Sequence, residues 1–280
     1  MKRAFVRARR PEHKQQRREE ILAAARDLAV ASGVRNVSLG AVAEAVGLAK
    51  SNIMRYFGTR EEIYLILAAD EWHQWAAAVT TRLEATSAGV APDEAASGGV
   101  ASAGVASAGV ASDGGAPDDA ASDEAASAGG ASDEAASDDA AATVTVRLDA
   151  SSDHVVAALA ETLADRPLLC DILSQTATTL EHNVSIEAAR TFKRTILAVI
   201  ADLGSQVARA TGLTVGEGTE LVSVATAFAG ILYPIAHPSP TLAELYAQDP
   251  VIAATCPDFL PTLTRALKAL AAGLPTLRED

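Results

Sequence analysis

The chain has 280 residues, enough for two domains, and 49% of them are hydrophobic, enough to bury a sizeable core. Its longest apolar stretches are broken by charge or Pro well before about 18 residues, which argues against a membrane span, and no apolar run follows the basic N-terminus, so no secretion signal is read and the cytoplasm is the expected location. The net charge of −13 looks wrong for a nucleic-acid binder until the chain is divided: residues 1–84 carry 14 Lys and Arg against 10 Asp and Glu, residues 85–142 carry none against 11, and residues 143–280 carry nine against 15.

Within the first 18 residues stand Lys2, Arg3, Arg7, Arg9, Arg10, Lys14, Arg17 and Arg18, opposed only by Glu12. They form a basic arm leading into a first helix over about residues 14–32. Such an arm can follow a DNA backbone or enter the minor groove, or it is a solvated tail; each phosphate it neutralises adds about 0.9 to the magnitude of the logarithmic salt slope.

The most informative stretch is Ser38 to Tyr64. Leu39, Val42, Ala43 and Val46 recur at helical spacing, Gly47 supplies a positive-φ stop, and Ile53 and Phe57 continue an apolar face four residues apart. Small side chains at Ala43 and Ala45 permit close approach, and a turn of Gly47, Leu48 and Ala49 sets a large crossing angle. Lys50, Ser51, Asn52 and Arg55 remain outward on the second helix, where they can donate to base edges in a major groove. A small bundle with a solvated second helix is the plainer alternative. Against it stand the flanks, a cationic N-terminus on one side and Tyr56-Phe57-Gly58-Thr59-Arg60-Glu61-Glu62 on the other.

Over about Arg17 to Leu67 the chain resembles the TetR family of bacterial transcriptional regulators. The resemblance rests on Ile21 to Ala29, Ser32-Gly33-Val34, Ser38 to Ala43, Val46-Gly47-Leu48, Tyr56-Phe57 and Arg60-Glu61-Glu62-Ile63. It implies DNA contacts from Ser38, Gly40, Lys50, Ser51, Asn52, Met54, Arg55, Tyr56 and Arg60. Three positions depart from the family pattern. Ala49 stands where Ser or Thr often caps the recognition helix, a loss of about 1 kcal/mol that softens the helix start. Met54 replaces a usual Tyr and offers an apolar contact, for instance to a thymine methyl; Arg60 replaces a usual Lys, and either cation reaches a phosphate.

A long fourth helix follows over residues 60–85, about 39 Å in length, with Ile63, Ile66, Leu67, Trp72 and Trp75 facing neighbours on both sides. Residues 86–142 are low in complexity, acidic and rich in Ala, Ser and Gly, without an aromatic residue, Leu or Ile, and read as a disordered insertion. It is a neutral repeat expansion, or an acidic screen against non-specific DNA. Helical periodicity then resumes: one helix over residues 149–163, one opened by Pro167 and reaching Leu180, one from Ile186 to Val207, one from Leu221 that stops at Pro234, and after a mixed segment a last stripe from Phe259 to Leu274.

The expected fold is therefore all-α: a basic arm and helix-turn-helix domain (1–59), a connector helix (60–85), the insertion (86–142) and an all-helical domain (143–280). The resemblance gives the last of these effector binding and dimerisation, with the last two long helices of each subunit in a four-helix interface. A homodimer matches a palindromic operator on double-stranded DNA, its half-sites about 34 Å apart or a multiple of that. Burial within one protomer explains the Phe228 and Leu267 stripes nearly as well. The small-molecule effector and its site are not readable; Asp171, Glu181, His182 and Glu187 are the polar residues to examine first, although ordinary surface placement accounts for them more simply. Repression by promoter occlusion is commoner in the family than activation.

Enzymatic chemistry finds no support, since GxSxG, HExxH and P-loop motifs are absent and Gly216-Glu217-Gly218 is too short to hold phosphate. His13, His73, His154, His182 and His237 show no metal-ligand spacing, and Cys170 and Cys256 read as buried small side chains, so neither metal nor cofactor is expected. An architectural or cell-cycle factor using the same DNA reader without a small-molecule signal is the alternative function.

Overall fold

Apolar residues three and four apart, set among strong helix formers, make every regular element helical among the described residues, which in this computed structural model are 4–87 and 150–278. The insertion expected over 86–142 lies outside them, except for residues 86 and 87, which complete a helix. The described residues pack as one unit.

The first helix, α1, runs over Ala4–Ser32 and so begins well before the expected Lys14. Ala, Arg, Glu and Gln favour helix throughout this stretch, and Pro11 removes a single hydrogen bond, to the Arg7 carbonyl, without ending it. Among residues 12–32 burial starts at Ile21, followed at four-residue steps by Ala25 and Ala29. Gly33, at φ +83°, turns the chain into a short 3-10 turn, Val34–Asn36. Then come α2 (Leu39–Ala45), α3 (Lys50–Ile53) and α4 (Arg60–Ser87). Val34, Val42, Ile53, Phe57, Ile63 and Leu67 close a small core beneath them.

The remaining helices are α5 (Ala150–Ala164), α6 (Pro167–Gln175), α7 (Ile186–Ala210), α8 (Val215–Ala236), α9 (Pro240–Gln248), α10 (Pro250–Ala253) and α11 (Phe259–Gly273). Pro167 opens α6 as expected, but α6 passes into a π-helical turn, Thr176–Leu180, rather than running evenly to Leu180. Pro234 does not stop α8, which continues to Ala236; so near the end, the proline ring displaces one hydrogen bond and the last turn survives. The mixed segment before Phe259 holds α9 and α10.

The central helix is α8, packed against α5, α6, α7 and α11. It meets α7 where two glycines face each other: a Cβ on Gly204 would stand 2.7 Å from the Thr219 backbone, so only glycine admits this approach. On length and composition α8 is also apolar enough to cross a membrane, but Leu221, Val222, Ala225, Ala229 and Leu232 are buried in the helical core. The connector α4 packs against α5, α6 and α7, and Trp75 Nε1 donates to Thr162 Oγ1 on α5 at 2.9 Å.

Several apolar residues of the later helices stand exposed, Leu197 on α7 and Leu260 on α11 among them. Val224, Ile231 and Ile235 stand exposed on α8, Leu242 and Leu245 on α9, and Val251 and Ile252 on α10, while neither α9 nor α10 buries a residue. On α11, by contrast, Leu263 and Leu267 are buried within the protomer and Arg265 and Lys268 point outward, so the expected interface stripe of Leu267 belongs to the monomer core.

Candidate nucleic-acid interface

The reader is assembled from local hydrogen bonds before any ligand is involved. Ser38 Oγ accepts the Ala41 N–H at 3.1 Å and caps α2. At the other end Gly47, at φ +66°, lets its own N–H reach the Glu44 carbonyl at 3.0 Å and the Leu48 N–H reach the Ala43 carbonyl at 2.8 Å. Those two bonds make a Schellman stop, as the sequence pattern of Val46-Gly47-Leu48 implies. Ala49 opens α3 without a side-chain cap, and α3 is correspondingly short: after Ile53 the chain turns with tight bonds from Arg55 N–H to Asn52 O (3.2 Å) and Tyr56 N–H to Ile53 O (2.8 Å).

Buried Ile53 and Phe57 fix α3 from beneath, so its other residues face outward. Ser38, Gly40, Lys50, Ser51, Asn52, Met54 and Arg55 are all exposed, Met54 by 55%, and Tyr56 is half-buried. The structure thus brings eight of the nine expected contact residues to one accessible region around α2 and α3.

Arg60 behaves differently. Its guanidinium turns inward, donating from Nε to the Val37 carbonyl and from Nη2 to the Val34 carbonyl, pairs with Glu61, and lies 4.8 Å from the Tyr64 ring centre. It clamps the 3-10 turn to the start of α4, and its charge is not offered to a phosphate in this arrangement. Tyr64 beneath it donates to the Ala25 carbonyl at 3.3 Å; burial pushes its hydroxyl up to about 12.

Arg18, which composition assigned to the basic arm, is likewise committed. Nη1 donates to the Tyr56 carbonyl at 3.0 Å and the guanidinium stacks 4.3 Å from the Phe57 ring centre, so α1 holds the loop after α3.

Three polar links join the reader to the helical core. The Asp171 carboxylate on α6 accepts the Val34 N–H at 2.6 Å. Burial raises its pKa, only partly offset by that bond. Glu71 on α4 is buried and paired with Arg26 of α1 on one oxygen and with Arg166, at 3.5 Å, on the other. Glu62 accepts from Gly58 N at 2.9 Å and Ser185 N at 3.1 Å. Burial opposes its charge, yet the bonds from Ser185 and Gly58 and the nearby Arg18 outweigh it and hold the carboxyl below its ordinary value. Sequence reasoning missed Arg18, Glu62 and Glu71 as linking groups. For Glu71 a signal existed, a carboxylate set within the apolar face of Ile63, Leu67 and Trp75.

The four polar residues first considered for an effector pocket do not converge. Asp171 lines a cleft of about 220 Å³ with Gly33, Pro167 and Tyr233; Glu187 pairs with Arg190 at the rim of a separate groove of about 380 Å³ between α4 and α7; Glu181 pairs with Lys193 at 2.6 Å; and His182 is exposed.

Two family models match the chain. One, described as bacterial regulatory proteins of the tetR family, covers residues 21–67, and the other, described as a tetracyclin repressor-like C-terminal domain, covers residues 130–278. No curated protein matches the chain significantly.

Proposed function

Because the chain belongs to the TetR family and is a TetR-like DNA-binding transcriptional regulator, we propose that it represses transcription as a homodimer on a palindromic operator and leaves the DNA when a small-molecule effector binds. The observation that carries this reading is the exposed polar surface of α3 and the turn after it, with Lys50, Ser51, Asn52 and Arg55 held outward above buried Ile53 and Phe57. A short helix presenting hydrogen-bond donors is what a major groove accepts. In this reading Lys50 and Asn52 read base edges, Met54 lies against an apolar base edge, and Ser38, Gly40, Ser51, Arg55 and Tyr56 meet the backbone around them. Arg60 acts through the turn it clamps.

The uncovered apolar residues of α8, α9 and α10 supply the dimer face. A second copy would cover Val224, Ile231, Leu242, Leu245 and Val251 at once, which accounts for a two-helix segment that buries nothing in its own protomer. The effector works by differential binding: whichever core arrangement it prefers is passed to the reader through the Asp171–Val34 bond, the Glu71 ion pairs and α4. The protein acts in the cytoplasm by binding, without a catalytic step.

Selection of bound sequences from random DNA tests this reading. Enrichment of a two-fold symmetric site with half-sites about 34 Å apart, or a multiple of that, supports it. Recovery of unrelated sequences, or genome-wide binding at many dispersed sites, favours an architectural factor instead.

A further inference from the structure

We infer that the groove between α4 and the first half of α7 is a binding site for an apolar organic cation, and that its occupant acts on the reader through Tyr56. This rests on the reading of the chain as an effector-controlled regulator with α3 as its DNA reader.

The groove exists because two neighbouring helices carry small side chains where their surfaces line it. Ala188, Thr191 and Thr195 fall at helical spacing on one face of α7, Ala69 stands on the α4 side, and a space of about 380 Å³ stays open between them. That volume lies in the range of about 300–1,000 Å³ in which small ligands are held. Leu65 and Phe192, both buried, and half-buried Ile66 give the groove an apolar floor. Its walls are fixed without a ligand. Ser185 Oγ caps α7 by accepting the Ala188 N–H at 3.2 Å, and Glu62 of α4 accepts the Ser185 N–H at 3.1 Å.

Charge selects the ligand. Three carboxylates line the groove, Glu62, Asp70 and Glu187, against one cation, Arg18. The Arg18 guanidinium is engaged by the Tyr56 carbonyl and the Phe57 ring, so it is not free to receive an anion. Glu187 shares its charge with Arg190, whereas Asp70 is exposed and has neither an ion pair nor a hydrogen bond among the described residues. The rings of Tyr56 and Phe192 add faces that attract a cation. An apolar body carrying one positive charge therefore satisfies both the floor and the rim.

Tyr56 makes the site regulatory. It lines this groove and also a second one of about 400 Å³ on the reader's side, shared with Lys14, Asn52 and Arg55. An occupant packed against Tyr56 restricts the positions open to that residue beside Asn52 and Arg55. A cation that prefers the arrangement unsuited to DNA lowers operator affinity, and by linkage the operator lowers affinity for the cation by the same factor. This is a direct route, and it needs no rearrangement of the helical core.

The test uses the full chain with tetraphenylphosphonium and benzyltrimethylammonium as probes. Tetraphenylborate, an anion of the same shape as the first probe, controls for apolar binding, and tetramethylammonium, which lacks an apolar body, controls for charge screening. Calorimetry should show both probes binding and both controls failing to bind. Asp70→Asn and Glu187→Gln should each weaken probe binding by about 2- to 5-fold, the worth of one exposed charge pair, and Thr191→Trp, which fills the groove, should abolish it. All three variants should unfold thermally like wild type; if Thr191→Trp does not, Asp70→Asn/Glu187→Gln carries the comparison. On a duplex enriched by the protein from random sequence, tetraphenylphosphonium should lower wild-type affinity about 5-fold or more and leave Thr191→Trp unaffected. Binding of neither probe, equal binding of both tetraphenyl ions, or probe binding untouched by the substitutions overturns the site. Probe binding that the substitutions remove, with wild-type operator affinity unchanged throughout, overturns the route through Tyr56. If the protein enriches no duplex while the probes bind in the groove, the regulator reading falls and the cation site stands.

Discussion

The Asp171 carboxylate of α6 accepts the backbone N–H of Val34 at 2.6 Å, tying the turn that enters the reader to the helical core. Removing it in Asp171→Ala leaves a part-buried N–H without a partner and should cost about 1–3 kcal/mol in unfolding free energy. Asp171→Asn keeps an acceptor and should cost far less. The carboxyl pKa is raised by burial, against the pull of the Val34 bond, so the folded protein holds this proton more tightly than the unfolded chain does. Its contribution to stability is full below the ordinary carboxyl range and is lost as pH rises through the raised value. Thermal unfolding across that acid window should show the decline in wild type and a flatter curve in Asp171→Asn.

Arg60 donates to two backbone carbonyls and covers the Tyr64 ring, so Arg60→Ala should destabilise the reader by about 1–3 kcal/mol and weaken operator and random DNA in parallel. Arg60→Lys should recover only part of the loss, because a single ammonium cannot reproduce the planar fork. A variant with wild-type unfolding but a salt slope smaller by about 0.9 would instead make Arg60 a phosphate contact.

At the start of α8, Glu217 completes a capping box with Thr214 and receives two bonds from Arg278, at 2.7 and 2.6 Å. The Arg278 bonds, then the Thr214 backbone, bring its pKa from 4.5 down to about 2. A lowered carboxyl pKa means that its contribution is present above the ordinary value and disappears as pH falls from about 4.5 to about 2. Arg278→Ala and Glu217→Gln should each flatten acid unfolding in that interval, leaving the curve near neutral pH with the same shape.

Gly204→Ala inserts a methyl 2.7 Å from the Thr219 backbone and should destabilise the protein by about 1–3 kcal/mol through overpacking. Gly212→Ala, where nothing lies within 4 Å of the added Cβ, should unfold like wild type in chemical denaturation.

The helix-turn-helix was legible because its determinants are local. Gly47 after Val46 prescribes the positive-φ stop and the four-residue step from Ile53 to Phe57 prescribes the buried face, whereas the Ser38 cap on the Ala41 N–H emerged only with the structure. What the sequence hid depends on distant partners. Arg18 and Arg60 look like any other cations until the carbonyls of Tyr56, Val34 and Val37 are placed beside them, and Leu267 gives the same stripe whether it faces its own core or another subunit. Pro234 misled a boundary because a proline ends a helix only where little else supports the turn it disturbs.

The central claim, that the outward face of α3 reads DNA sequence, is tested most directly by the ratio of operator affinity to random-duplex affinity at one fixed salt concentration. Lys50→Ala and Asn52→Ala should each lower that ratio by about 1–3 kcal/mol, or about 5- to 150-fold, while binding to the random duplex falls far less. Equal losses on both duplexes, with the ratio unchanged, would contradict base reading by α3.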